Sequence, residues 1–376
     1  MTDSDELSAD DAHWQAARLQ RVRGLALELD DVERALLAQL YFASGGVREG
    51  LALAHDAPGS SPALALIEAR ARFSLGDAAA ALALLDRQLA ARPGDLLALY
   101  YKGQFLAQSG RPAEGAGALA ALIDLMPDFP GALETLAPLV FPGPSYRDIL
   151  RRLHDALRPR SYLEIGVEHG TTLAFAVHSE QVIGIDPAPA PAGPAWPARA
   201  RYFQMTSDAF FERHSRTDVL PGSIDLAFID GKHWFDYALR DFCAVEAWCE
   251  PGSTIVLHDC LPVAKAAATR QRRTRFWVGD TWKALECLLA ERSDLSISVI
   301  PCYPSGLVVV RRLDPGSTVF RQRLPELVGR YRPLEYPYAV GAPPPRYPVV
   351  PNAEAHLGPF FAALRGAASG QPRGRP

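Results

Sequence analysis

Four side chains past the middle of the chain have the types and spacing to do chemistry. Asp230 closes the apolar run Ile224-Asp-Leu-Ala-Phe-Ile, and His258-Asp259 closes the run Ser253-Thr-Ile-Val-Leu. His233 follows Asp230 by three residues. If the two runs are parallel strands of one sheet, ligands bind beyond their carboxyl ends, where these groups converge. Two carboxylates at one cleft repel each other unless a cation sits between them. A hard divalent ion such as Mg²⁺ takes both, together with waters and substrate oxygens. A hydroxyl bound to that ion loses its proton more easily. His233, with an ordinary pKa of ~6.5, is the candidate general base, and Lys232 beside it is the fallback. The plain alternative for His233 is a half-exposed loop histidine. Asp230 and Asp259 are the candidate metal ligands. His258 is a softer donor, better suited to Mn²⁺, Fe²⁺ or Zn²⁺; it also reads as a second base or as a hydrogen-bonding loop residue.

These residues need a scaffold, and the chain from about residue 145 alternates β-rich and helical runs. That pattern predicts a parallel sheet with helices on both faces. Strands are expected at 161–165, 181–186, 201–205, 224–230 and 253–259. The runs 295–300 and 306–311 flank Pro301-Cys-Tyr-Pro-Ser as a closing hairpin, which forces one antiparallel strand into the sheet. The first strand runs into Gly166-Val-Glu-His-Gly170, and a helix is expected over 171–178. Gly166 allows a sharp turn off the strand, and Gly170 permits close approach at the helix start. Asp186, 20 residues after Gly166, ends the next strand, where a carboxylate can accept both hydroxyls of a ribose. A tight turn with no ligand is the plain alternative for the glycines. The pair with Asp186 points to a cofactor containing a nucleoside. The Gly-x-Gly-x-x-Gly spacing of a pyrophosphate site is absent. Glu164-x-Gly166 suits a cofactor without phosphates, in which the carboxylate faces an ammonium group.

At this point the chain resembles class I S-adenosylmethionine-dependent methyltransferases. Glu164-Ile-Gly-Val-Glu-His-Gly170 is similar to their first motif, and Ile185-Asp186 to their second. Phe228-Ile-Asp-Gly-Lys-His233, Asp236-Tyr-Ala-Leu-Arg-Asp241, Val256-Leu-His-Asp259 and Trp277-Val-Gly-Asp-Thr-Trp-Lys283 resemble the subgroup containing macrolide-sugar O-methyltransferases. The resemblance covers roughly 145–315. It implies a Rossmann-like α/β fold with a seven-stranded sheet and a reversed last strand. It implies S-adenosylmethionine as cofactor, held by Glu164, Gly166, Gly170 and Asp186, with Ser207 and Asp208 near the adenine. Asp208 reads equally as the N-cap of a helix through Ala209-Phe-Phe-Glu. The resemblance also implies a divalent metal, Mg²⁺ or Mn²⁺, on Asp230, His258 and Asp259, and transfer to a hydroxyl of a sugar, glycoside or secondary metabolite. Catechol-type relatives have Asp-x-x-Lys where this chain has Asp230-x-x-His233. Sugar-type relatives have Asp-x-x-His there, and Glu-Asp in place of His258-Asp259. Two other readings stay open: an inactive scaffold of this fold with partner-binding repeats, and a metal-independent N- or O-methyltransferase.

The chain before residue 140 has another character. Gly76 and Gly110, Pro93 and Pro127, Ala69 and Gly103, Leu85 and Leu119, and Leu89 and Ile123 all lie 34 apart. That period resembles tetratricopeptide repeats, pairs of helices with small residues where they cross. The clearest units are 63–95 and 96–130, with a degenerate one around 30–60. Such repeats either present a concave surface to a protein partner or form a helical cap that buries its apolar face. The organisation expected is a helical-repeat domain over 1–140, a methyltransferase domain over 141–315 and a Pro-rich extension over 316–376.

Composition bounds the rest. Of 376 residues, 48% are hydrophobic and 22% charged, which excludes a disordered chain. The net charge of −4 predicts no nucleic-acid partner. It conceals a split: residues 1–135 carry 11 basic and 19 acidic side chains, the remainder 28 and 24. No apolar run approaches a membrane span, and the acidic N-terminus lacks a signal-peptide pattern. Five cysteines, all after residue 240 and without a Cys-x-x-Cys pair, fit a reducing cytoplasm. The run 265–275 holds Lys265 and four arginines, read as a solvated loop or as a lid over an anionic substrate. The proline-rich stretches 187–197 and 333–351 read as a stiff linker and an extended tail.

Overall fold

The computed structural model describes residues 17–24, 29–55, 61–190, 196–337 and 343–369. It divides into two compact units, Met1–Ala132 and Leu133–Pro376. Parts of both proline-rich stretches, 191–195 and 338–342, lie outside the described residues. Among the described residues no helix is long and apolar enough to cross a membrane.

The first unit is helical. Its helices α1 (Asp31–Ala43), α2 (Val47–His55), α3 (Pro62–Ser74), α4 (Ala78–Ala91), α5 (Leu96–Gln108) and α6 (Pro112–Leu125) each pack on the next. Short acidic residues start several of them. Asp30 caps α1 in a capping box with Glu33, and Asp77 and Asp95 cap α4 and α5. Gly76 and Gly110 adopt φ of +88° and +77° after α3 and α5. The crossing of α5 and α6 depends on small residues. A Cβ on Gly103 would strike Leu119, and one on Gly115 would lie 2.7 Å from the Gly103 carbonyl.

The second unit is built on a seven-stranded sheet in the order β3-β2-β1-β4-β5-β7-β6. Its strands are β1 (Ser161–Ile165), β2 (Gln181–Asp186), β3 (Ala200–Gln204), β4 (Ile224–Ile229), β5 (Cys249–His258), β6 (Ser296–Ile300) and β7 (Leu307–Arg311). The first five pair in parallel; β7 runs antiparallel to both β5 and β6. The strand reversal expected from the closing hairpin is present. β1 is buried along its whole length, as a central parallel strand covered on both faces must be. Tyr162, Leu226, Phe228, Val256 and Val309 carry the core across the sheet.

One expected element is absent. The run 171–178 forms only a 3₁₀ turn, Leu173–Phe175. The carbonyls that follow the turn, of Ala176, Val177 and Ser179, accept from the Arg199 guanidinium. The end of the chain also contains more structure than its prolines suggest. Residues around 348–350 pair with the edge strand through Val299, and a helix follows at Glu354–Ser369. That C-terminal helix buries Leu357, Phe361 and Leu364, spaced along one helical face. It packs on the helix Tyr146–Leu157, where Arg152 clasps Glu354 with two bonds of 2.9 Å.

One bidentate ion pair in this unit is buried. Arg292 and Glu246 are 2% and 4% exposed at the side chain and form a bidentate pair at 2.8 and 2.9 Å. Removing one partner strands the other charge away from water. Arg292→Met should cost ~3–5 kcal/mol of the second unit's stability, read by urea denaturation. A loss under ~1 kcal/mol, the range of an exposed pair, would show that the pair is solvated.

Candidate active site

A cavity of about 1010 Å³ opens along the carboxyl ends of β1, β2, β4 and β5. Gly166 makes its floor possible. Its φ is +86°, and a Cβ there would run into the Asp230 carbonyl, so only glycine lets β1 and β4 close at this point. Asp186 stands at the lip. One carboxylate oxygen accepts the amides of Val167 and Glu168 at 2.9 and 3.0 Å, and the other accepts Ala188 N–H at 2.8 Å. The carboxylate therefore holds the glycine loop in shape as well as facing the cavity.

Other residues assigned to the cofactor occupy different places. Ser207 and Asp208 line the same cavity. The helix Ser207–Arg213 is capped by Thr206 rather than Asp208, and Asp208 pairs with Arg240 at 2.8 Å. Glu164 does not line the cavity. It is wholly buried beneath, bonded to Tyr162 Oη at 2.6 Å and Thr172 Oγ1 at 2.7 Å. Burial pushes its carboxyl up to about 8. Thr172, which Glu164 orients, does reach the cavity. Gly170 is also set back. The space that its missing Cβ leaves is taken by Trp196, whose indole N–H donates to the Gly170 carbonyl.

At the other end of the cavity the four reacting candidates meet. His233 Nε2 lies 3.3 Å from Asp230 Oδ1, and its Nδ1 lies 3.1 Å from Asp259 Oδ2. His258 Nδ1 lies 3.2 Å from Asp230 Oδ2 and 3.4 Å from Asp259 Oδ1. Burial lowers the His233 imidazole, but Asp259 and Asp230 outweigh it and raise the group to about 9. His258 is raised by the same balance. Burial would raise Asp230, but the two imidazoles hold it well below the usual carboxylate range.

The backbone here is strained to purpose. His233 and Asp259 both have left-handed φ, 57° and 58°, which β-carbon sterics disfavour. The segment Trp277–Lys283 holds His233 in place. Trp277 stacks on its ring at 5.4 Å, and the Asp280 amide donates to its carbonyl at 3.1 Å. Gly279 lies so close to that carbonyl that a side chain could not fit. Asp280, fully buried, also caps the helix after His233 by accepting Phe235 N–H at 3.0 Å. The 265–275 run leads into this wall. Arg270 is bound to Asp236 at 2.6 Å, and Arg275 lines the cavity.

A divalent cation fits these residues. Asp230, His233 and Asp259 each offer a ligand atom within 4.8 Å of one another, so the imidazole grouped with the acids is His233 and not the expected His258, which lies 3.2 and 3.4 Å from the same two carboxylates. Asp230 Oδ1, His233 Nδ1 and His258 Nδ1 are buried without a well-directed hydrogen bond, though all lie against opposite charge. Sequence reasoning missed Tyr146 and Ser305. The Tyr146 ring lies 4.2 Å from the His258 imidazole, and the Ser305 hydroxyl touches Asp259 and His258. No spacing signal connects either residue to the strand ends.

Residues 163–260 match the family model described as a methyltransferase domain. That match spans 98 of the 376 residues. No curated protein matches it in sequence. Similar solved structures include the Bacillus cereus O-methyltransferase in complex with SAH, at 14% identity and TM-score 0.33, covering 52% of this chain and 97% of that one. TomG from Streptomyces achromogenes, an O-methyltransferase involved in tomaymycin synthesis and solved with SAM, is 14% identical at TM-score 0.33, covering 54% and 90%. An O-methyltransferase family protein from Burkholderia thailandensis is 14% identical at TM-score 0.32, covering 84% and 99%.

Groups near the cavity hold protons that the unfolded chain would release: Glu164 to about 8, Asp241, raised by burial to about 7, His233 to about 9, and His258, also raised. Each folded value is raised, so the folded state binds more protons and stability falls as pH rises through these values. Chelator-treated protein should resist urea better at pH 6 than at pH 9. A flat or rising profile would contradict the protonated interior.

Proposed function

We propose that the chain is an S-adenosylmethionine-dependent O-methyltransferase acting on a hydroxyl of a sugar, glycoside or other secondary metabolite, with His233 as general base and a divalent metal at Asp230, Asp259 and His258. The observation that carries this reading is one cavity shared by the Gly166–Asp186 loop and the Asp230–His233–Asp259 cluster. S-adenosylmethionine, held by Asp186 and the amides after Gly166, would supply an electrophilic methyl carbon. A divalent cation would polarise the acceptor hydroxyl and take over the negative field that keeps His233 protonated.

The chain's own residues do the rest. Asp186 and the amides after Gly166 seat the nucleoside end, beside Ser207 and Asp208. His233, clamped by Trp277 and Asp280, takes the hydroxyl proton on a ring nitrogen. The fixed ring makes that transfer short, and positioning supplies most of the remaining rate gain. The acceptor oxygen gains the methyl as the carbon–sulfur bond breaks.

A metal-independent O-methyltransferase is the second reading. It is favoured by one observation: both imidazoles lie 3.1–3.4 Å from the Asp230 and Asp259 carboxylates, so the acids already have partners without an added ion.

Titration calorimetry should detect S-adenosylmethionine binding, weakened about tenfold or more in Asp186→Ala. With a panel of hydroxylated sugars, glycosides and phenols, His233→Ala should lower methyl transfer by ~10²-fold or more while leaving cofactor affinity within about threefold. No cofactor binding by the intact chain would sink the proposal. Turnover unaffected by a chelator would select the metal-independent reading.

A further inference from the structure

Ser305 sits in the turn between β6 and β7, fully buried. Its hydroxyl donates to Asp259 Oδ1 in a very short bond and lies 3.3 Å from His258 Nε2. A hydroxyl has one proton, and here it is given to Asp259. Toward His258 the oxygen can only accept, so Nε2 must be the nitrogen carrying hydrogen. The turn is held firmly: Leu261 N–H donates to the Ser305 carbonyl at 2.8 Å, and Leu261 fills the space beside Gly306. Tyr146 covers the imidazole face.

The other ring nitrogen, Nδ1, then points at the two carboxylates with no well-directed hydrogen bond of its own. In the neutral imidazole that a metal requires, this nitrogen is a lone pair set between two anionic oxygens, a place for a cation; without a cation the same nitrogen carries a proton toward them. We infer that Ser305 is a positioning residue that locks His258 with hydrogen on Nε2, presenting Nδ1 as a nitrogen ligand and tilting the site from Mg²⁺ toward a transition metal such as Mn²⁺. This rests on the metal-assisted reading above. The chemistry is that of ligand hardness: Mg²⁺ prefers an all-oxygen shell and gains little from imidazole, whereas Mn²⁺ accepts mixed nitrogen and oxygen donors. Ser305 borders the cavity, and its hydroxyl is spent on Asp259 and His258, so it acts through His258.

The test is calorimetric titration of the chelator-treated full chain with MnCl₂ and, separately, MgCl₂. The intact chain should bind Mn²⁺ about tenfold or more tighter than Mg²⁺. Ser305→Ala should weaken Mn²⁺ by roughly 10–100-fold, the usual effect of removing a partner behind a metal ligand. Mg²⁺ affinity should move less than about threefold, because the two carboxylates remain. A purely structural loss would weaken both ions together, so the ratio separates the two causes. Ser305→Thr, which keeps the hydroxyl, should keep the ratio. If Ser305→Ala does not fold by circular dichroism, His258→Gln reads the same ratio. An unchanged ratio in Ser305→Ala, or in His258→Gln, overturns the inference while leaving the metal site standing. Failure of the intact chain to take up either ion, with S-adenosylmethionine still bound, overturns the metal reading itself and this inference with it.

Discussion

Repulsion between two carboxylates governs the second unit's functional end. Parallel pairing of β4 with β5 brings Asp230 and Asp259 to the same edge, where Asp259 is buried and Asp230 half-buried, with less water than at an open surface to screen them. Everything nearby answers that cost. His233 bridges both acids from one side, and His258 lies between them on the other. Ser305 adds a proton donor to Asp259. The same concentration of charge that is expensive to fold is what makes the place able to hold a cation or move a proton.

The supporting layer is built to keep that arrangement rigid. His233 tolerates its left-handed backbone because Gly279 clears its carbonyl and Asp280 bonds to it. Glu164 plays a comparable part under the glycine loop, tying Tyr162 and Thr172 together below the cavity. A residue can therefore matter to a pocket that it never touches.

The sequence made the sheet legible because its strands are buried and read as nearly uninterrupted apolar runs. Their ends then located Asp186, Asp230 and Asp259 without further information. What stayed hidden was tertiary. Nothing local in 171–178 reveals that Arg199 will claim its carbonyls, and nothing near Gly170 reveals that Trp196 will fill the space beside it. Asp208 is as good a cap by type as Thr206; backbone geometry chose between them. The C-terminal helix was masked by Gly358 and Pro359, and its apolar face makes sense only against the helix Tyr146–Leu157.

The reversed hairpin has a consequence for the order of assembly. β7 inserts between β5 and β6, and Ser305 precedes it in the turn. During synthesis, residues 161–259 emerge with every motif of the cluster present, yet β5 still has an open edge and Asp259 still lacks its hydroxyl donor. The acidic pair is thus incomplete until the last strand docks. Closing the sheet edge and finishing the electrostatics of the site are one event, so a nascent or clipped chain that stops short of the hairpin carries the motifs without the balanced centre.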